Sequence, residues 1–221
     1  MKKMVNTVDP EHRDLGLERL VFFSDAVMAI AITLLTVDLK LPDLPGTAAS
    51  REVLQALAAL TPRLLSFLIS FLVIGVYWVS HHRYFHHIVR YDGRLIALNL
   101  IFLLSIALMP FVAGLMGQYY YLPIGGMVYA GAVAFTGFSM SAIWWYASSG
   151  HRLVENNLED EFIRIRRIVL LVGPSLFLLS IPLALISFPL MIGAWWLSPI
   201  LSFVIMRSAS LHRIGKSAGT K

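Results

Sequence analysis

Six blocks of about twenty apolar residues, separated by short polar connections, constrain this chain more than any other feature of its 221 residues. At 1.5 Å rise per residue, about 20 residues cross a hydrocarbon core about 30 Å thick. The blocks fall at 19–41, 54–79, 94–116, 123–147, 165–187 and 189–207. Lipid offers no partner to a bare amide, so each block is expected to close its hydrogen bonds within itself, as a helix. Only 14% of the residues are charged, against roughly 25% in soluble domains, which leaves too little polar surface for a water-facing exterior. The expected fold is therefore all-α: an integral membrane protein of six transmembrane helices with no soluble domain. Its parts are an N-terminal arm (1–18), one six-helix domain (19–207) and a C-terminal tail (208–221).

Local residues account for most of the breaks. Pro42, Asp43, Pro45 and Gly46 stop the first helix, Asp92 and Gly93 precede the third, and a polar run from 151 to 161 separates the fourth from the fifth. The tightest break is expected at Ser187, Phe188 and Pro189. The first block follows an 18-residue polar lead, carries Asp25 and lacks a small-residue cleavage site, so it is expected to be a permanent span and not a signal peptide.

Basic residues set the orientation. Lys2, Lys3, Arg13 and Arg19 precede the first span; Arg83, Arg90 and Arg94 lie between the second and third; Arg152, Arg164, Arg166 and Arg167 between the fourth and fifth; Arg207, Arg213, Lys216 and Lys221 after the sixth. Only Lys40, Arg51 and Arg63 fall on the other side. The positive-inside rule then puts both termini in the cytoplasm. The net charge of +5 is thereby a matter of membrane topology, with no groove or stripe for nucleic acid. The chain has no cysteine, which excludes thiolate metal sites and a cysteine nucleophile. Tyr119, Tyr120 and Tyr121, and Trp144, Trp145 and Tyr146, stand where amphipathic rings sit at headgroup level.

Polar groups inside a span need an explanation. Asp25 lies about 9 Å along the first helix from Arg19, past the interface, so its carboxylate has to meet a donor or line water. At about 100° per residue, Ile30, Thr33, Leu34 and Val37 form one stripe within about 60° of Ile30. Ser24 and Asp25 lie more than about 100° round from it. The expectation is that Ser24 and Asp25 face neighbouring helices as a hydrogen-bonded lock, with Ser24, Trp78 or a histidine of the second span as donor; the alternative is direct contact with a permeating species. The stripe reads either as a packing seam or, with several copies around an axis, as stacked apolar rings with one hydroxyl ring, a constriction that gates by dewetting.

The motif Arg19-x-x-x-Phe23-Ser24-Asp25, running into Ala-Ile-Ala-Ile-Thr-Leu-Leu at 29–35, resembles the first-helix signature of the transmembrane protein 175 family, lysosomal potassium channels and their prokaryotic relatives. The segment from Tyr77 and Trp78 through His81, His82, Arg83 and Phe85 is similar to that family as well. The resemblance implies a potassium-permeable cation channel of a prokaryotic plasma membrane, assembled as a homotetramer, with K+ as permeant ion and no cofactor. It implies an apolar pore constriction at Ile30, Leu34 and Val37, a selectivity-linked Thr33, and a packing lock of Arg19, Phe23, Ser24 and Asp25, with Trp78 and His81 from the second segment. Val37 is smaller than the leucine often found there. Asp38, near the outer end, suits a carboxylate ring that concentrates cations at the mouth.

Two other classes compete with a channel. A secondary transporter of a small cation or metabolite would usually show internal repeats and broken midplane helices, neither of which is clear. A membrane metalloenzyme would draw on His81, His82, His86 and His87, but these are a single cluster, with His12, His151 and His212 the only other histidines. Interfacial hydrogen bonding is the expected role of the cluster, with pH sensing as the alternative, and the chain is not expected to be an enzyme. Glycines 125, 126, 131 and 137 of the fourth span are expected to allow close helix contact.

Overall fold

The computed structural model describes residues 10–40 and 49–218. The expected turn at Pro42, Asp43, Pro45 and Gly46, the first nine residues of the arm and the last three of the tail lie outside them. The described residues form eight α-helices: α1 (Pro10–Leu34), α2 (Ser50–Ala59), α3 (Thr61–Phe85), α4 (Gly93–Gln118), α5 (Pro123–Ser148), α6 (Asp160–Ser180), α7 (Phe188–Trp195) and α8 (Leu197–Ala218). Six helical stretches are long and apolar enough to cross a membrane, in chain order as the sequence predicts.

Proline sets three of the boundaries that differ from expectation. The second span starts at Thr61, not 54, because Pro62 has no N–H and cannot continue the short amphipathic α2. The carbonyl of Ala58 that Pro62 leaves bare accepts from Thr61 Oγ1 at 2.7 Å instead. The span then runs on to Phe85 and takes in His81 and His82. In the sixth span Pro199 breaks the helix one turn earlier, so that α7 and α8 meet at Trp196. The fifth span ends at Ser180 in a 3-10 turn, Ile181–Leu185, entered through Pro182. At the N-terminal end α1 runs unbroken from Pro10 and tightens into a 3-10 turn over Leu35–Asp38.

Helix α5 is the centre of the bundle, the most buried of the six spans. It packs between α4 and α6. A Cβ on Gly137 would lie 2.8 Å from both Pro174 and the Tyr77 hydroxyl, and one on Gly126 would collide with Met191 and press on Phe188. Gly125 packs less tightly, with a Cβ there 3.1 Å from the Tyr119 carbonyl at the end of α4, whereas Gly131 faces open space. Polar groups stitch the same contacts: Tyr77 donates to the Val133 carbonyl at 2.8 Å, and Ser70 lies 3.1 Å from the Tyr129 hydroxyl. Pro174 strips the Leu170 carbonyl of its helical donor, and Ser141 Oγ stands 3.1 Å from that oxygen.

At one end of the bundle the α3–α4 and α5–α6 connections bind each other. Ile88 pairs with Val154, and the amides of Val89 and Arg90 donate to the Leu153 carbonyl. Arg90 Nη2 donates to the carbonyls of His151 and Val154 and to Asn156 Oδ1. Asp92 caps α4 through the Leu95 amide at 2.9 Å and accepts from Tyr146 Oη at 2.6 Å. Burial works against the charged form of Asp92, but the Tyr146 hydroxyl, the amides of Leu95 and Arg94, and Arg152 outweigh it and hold its carboxyl below the usual value.

Candidate functional site: two faces of the first helix

Helix α1 and the 3-10 turn that follows it pack on α4 and α3 through Ser24, Met28, Ala31 and, in the turn, Leu35, all buried. These positions recur at i, i+4, i+7 and i+11, one stripe of a 3.6-residue helix. Polar contacts hold that seam. Trp78 Nε1 on α3 donates to Asp25 Oδ1 at 2.9 Å. Beside it runs a buried chain across three helices: His81 Nε2 lies 3.1 Å from Asn99 Oδ1, Asn99 Nδ2 donates to Ser24 Oγ at 2.8 Å, and Ser24 Oγ donates to the Leu20 carbonyl at 2.8 Å. With the Asn99 amide so oriented, His81 carries its proton on Nε2. Its ring is stacked between Phe85 and Phe102, at 4.0 and 5.7 Å, and its Nδ1 has no partner.

The structure thus brings Ser24, Asp25, Trp78 and His81 together at the seam, Asp25 through Trp78 and Ser24 through Asn99. The histidine reaches Ser24 through Asn99, which sequence reasoning passed over although it is the one amide in the apolar third span. A carboxamide within a span is itself a signal. Arg19 and Phe23 stand exposed, outside this hydrogen-bonded set.

The opposite face of α1 is open. Ile30, Leu34 and Val37 are 58%, 47% and 52% exposed, and Thr33 is exposed between them. Thr33 Oγ1 bonds back to the Ile30 carbonyl at 2.8 Å, and Thr36 Oγ1 to the Thr33 carbonyl at 2.7 Å. The stripe is therefore no seam within the subunit. It ends at Asp38, whose carboxylate rests against Gly114 of α4, where a Cβ would collide with it. Arg63, Ser66 and Gly117 line the same narrow cleft.

The histidine cluster disperses. His81 is buried in the chain just described, His82 stacks on Trp78, and His86 and His87 meet edge to face at 5.5 Å. Among the described residues no three His, Asp or Glu side chains are placed to share a metal ion. Burial pushes the His87 ring below its ordinary pKa, and His86 and Arg166 add to that, against Glu155.

Six apolar spans with α5 buried among the others, and with one face of the first helix fastened by buried polar groups and the other left bare, define a multi-pass helical membrane protein. The family model described as "Endosomal/lysosomal potassium channel TMEM175" matches residues 19–110, from the Arg19 motif through most of α4. A potassium channel of Streptomyces collinus is 32% identical over 80% of this chain and 86% of its own length. A potassium channel of Chamaesiphon minutus is 32% identical over 83% of this chain and 91% of its own. The crystal structure of a lysosomal potassium-selective channel TMEM175 homolog from Chamaesiphon minutus superposes with a TM-score of 0.72 at 27% identity, covering 88% of this chain and 98% of that one. The chain belongs to the TMEM175 family.

Proposed function

We propose that the chain is a potassium-permeable channel of a prokaryotic plasma membrane, with both termini cytoplasmic, in which four copies surround a path lined by α1. Ile30, Leu34 and Val37 form stacked apolar rings that hold the path nearly dry, since water leaves a narrow apolar constriction and an ion cannot cross it unhydrated. Thr33 sets one ring of hydroxyls between them and bears on ion preference. Asp38, steadied against Gly114, stands at the mouth and raises the local cation concentration. The observation that carries this reading is the division of α1: its polar face is fastened into the subunit, while the stripe from Ile30 to Val37 is left uncovered. Family membership supports the same function.

The absence of native cysteine makes a clean test possible. Leu34→Cys protein in liposomes should conduct K+, lose that flux to a thiol reagent, and form cross-linked subunit pairs on oxidation. Leu104→Cys, on an exposed position of α4, should conduct K+ as well, with neither reagent sensitivity nor cross-linking. Thr33→Ala and Leu34→Ala should change ion preference or conductance. Wild-type flux no greater than that of empty liposomes, or Leu34→Cys and Leu104→Cys responding alike, would remove the first helix from the path.

A further inference from the structure

The arginines at the end of the bundle where the α3–α4 and α5–α6 connections meet are not equivalent. Arg90 directs Nη2 at backbone carbonyls and Asn156, with its Nε buried and unpaired, and Arg167 lies over Trp145 while donating to the hydroxyls of Ser148 and Ser149. Arg166 is half-buried yet has poor partners. Its guanidinium lies over the Phe162 ring at 5.0 Å, Nη1 reaches the sulfur of Met206 at 3.5 Å, and the Tyr84 hydroxyl stands beside it as a neutral acceptor. A thioether is a weak acceptor for a group with five N–H donors. Arg166, from α6, acts on Tyr84 through both its charge and a hydrogen bond, and Arg83, in the last turn of α3, lies close enough to act on the same hydroxyl through its charge. His87 packs edge-on to Phe162 at 5.2 Å and touches His86. Among the described residues no carboxylate lies within ion-pair distance of Arg83 or Arg166.

A half-buried cation held in place by an aromatic face, a sulfur and the Tyr84 hydroxyl, all neutral, with donors to spare, is organised for an anion that the protein does not itself supply. The position supplies one. These groups sit where α3 ends and α6 begins, at the depth where a span meets the headgroup layer, on the side that carries most of the basic residues. We propose that the cleft between the last turn of α3, the first turns of α6, and α8 binds the phosphate of an anionic phospholipid, held by Arg83 and Arg166 with His86 and His87 beside them. The lipid completes the hydrogen bonding of Arg166 and clamps α3 to α6 and α8 from the membrane surface. Basic clefts between spans are the usual form of such sites.

The test is lipid titration of the purified full-length protein in detergent, read by melting midpoint and by lipid retained in native mass spectrometry. Phosphatidylglycerol should raise the midpoint and be retained, and phosphatidylcholine should do neither. Arg83→Gln/Arg166→Gln should weaken phosphatidylglycerol binding on the order of tenfold. Arg166→Lys, which keeps the charge and the stem packing, should retain most of it, as should Arg164→Gln, which alters an exposed arginine on the same helix. Wild-type-like retention by the double variant overturns the proposal, and so does equal stabilisation by phosphatidylcholine. Inorganic phosphate reproducing the shift would assign the cleft to free anions and overturn the lipid. If the double variant does not elute as the wild type does, Arg83→Gln alone takes its place.

Discussion

Asn99→Leu tests the polar seam of α1 most directly. Asn99 is fully buried and leucine shares its branched outline with more volume, so no cavity opens, and the loss is one of hydrogen bonding with some overpacking added. Two bonds go: the 3.1 Å contact to His81 and the 2.8 Å contact to Ser24. Bonds between membrane helices average about 0.6 kcal/mol and reach about 1.7, so the pair accounts for roughly 1–3 kcal/mol. His81 Nδ1 is already without a partner, so the variant leaves the whole imidazole unpaired in the core, at about 1–3 kcal/mol more. Ser24 keeps the Leu20 carbonyl as acceptor, and burying leucine in place of an amide recovers about 0.5–2 kcal/mol. The net expectation is a loss of about 2–3 kcal/mol, or a melting midpoint in detergent lower by about 5–10 °C for a chain of this size. A double-mutant cycle with His81→Phe isolates the bond from everything else the leucine changes. Each single variant strands the other's polar group, so the double variant should be more stable than the sum of the two losses by about 1 kcal/mol or more. Strict additivity, or an Asn99→Leu midpoint within about 1 °C of wild type, would refute the hydrogen-bonded chain.

Two further outcomes follow from packing and charge. Gly137→Ala places a methyl 2.8 Å from the ring of Pro174 and the hydroxyl of Tyr77, so it should cost about 1–3 kcal/mol, while Gly131→Ala, facing open space, should be neutral in the same melting assay. Asp92 has a lowered folded pKa, so the stability tied to its charge is present above about pH 4, the unfolded value, and is lost as the pH falls through the folded one. Because asparagine caps a helix as well as aspartate does, Asp92→Asn should be less stable than wild type at pH 7, and the difference should shrink below about pH 4. A constant difference down to pH 3 would mean that the charge contributes nothing.

The number and order of the spans were legible in the sequence, because bilayer thickness dictates how many apolar residues a helix needs and leaves few other readings. The two faces of α1 were legible for a similar reason. Once a segment is helical, the 3.6-residue period fixes the angle between Ser24 and Ile30, whatever surrounds them. The breaks at Pro62 and Pro199 were written there as well, in missing N–H groups, but apolar residues on both sides hid them from a hydropathy reading. Partnership was a different matter. Ser24 and Asn99 are 75 residues apart, and nothing local to either states that they meet. Gly131 and Gly137 look alike along the chain, yet only one has a neighbour where its Cβ would be. Arg166 and Arg167 are adjacent and chemically identical, and each lies over an aromatic ring, but 100° of helix gives one two serine hydroxyls and the other a sulfur. Periodicity fixes what happens along one helix. Which groups end up satisfied, and which are left facing the membrane in need of a partner, is decided only when the helices pack.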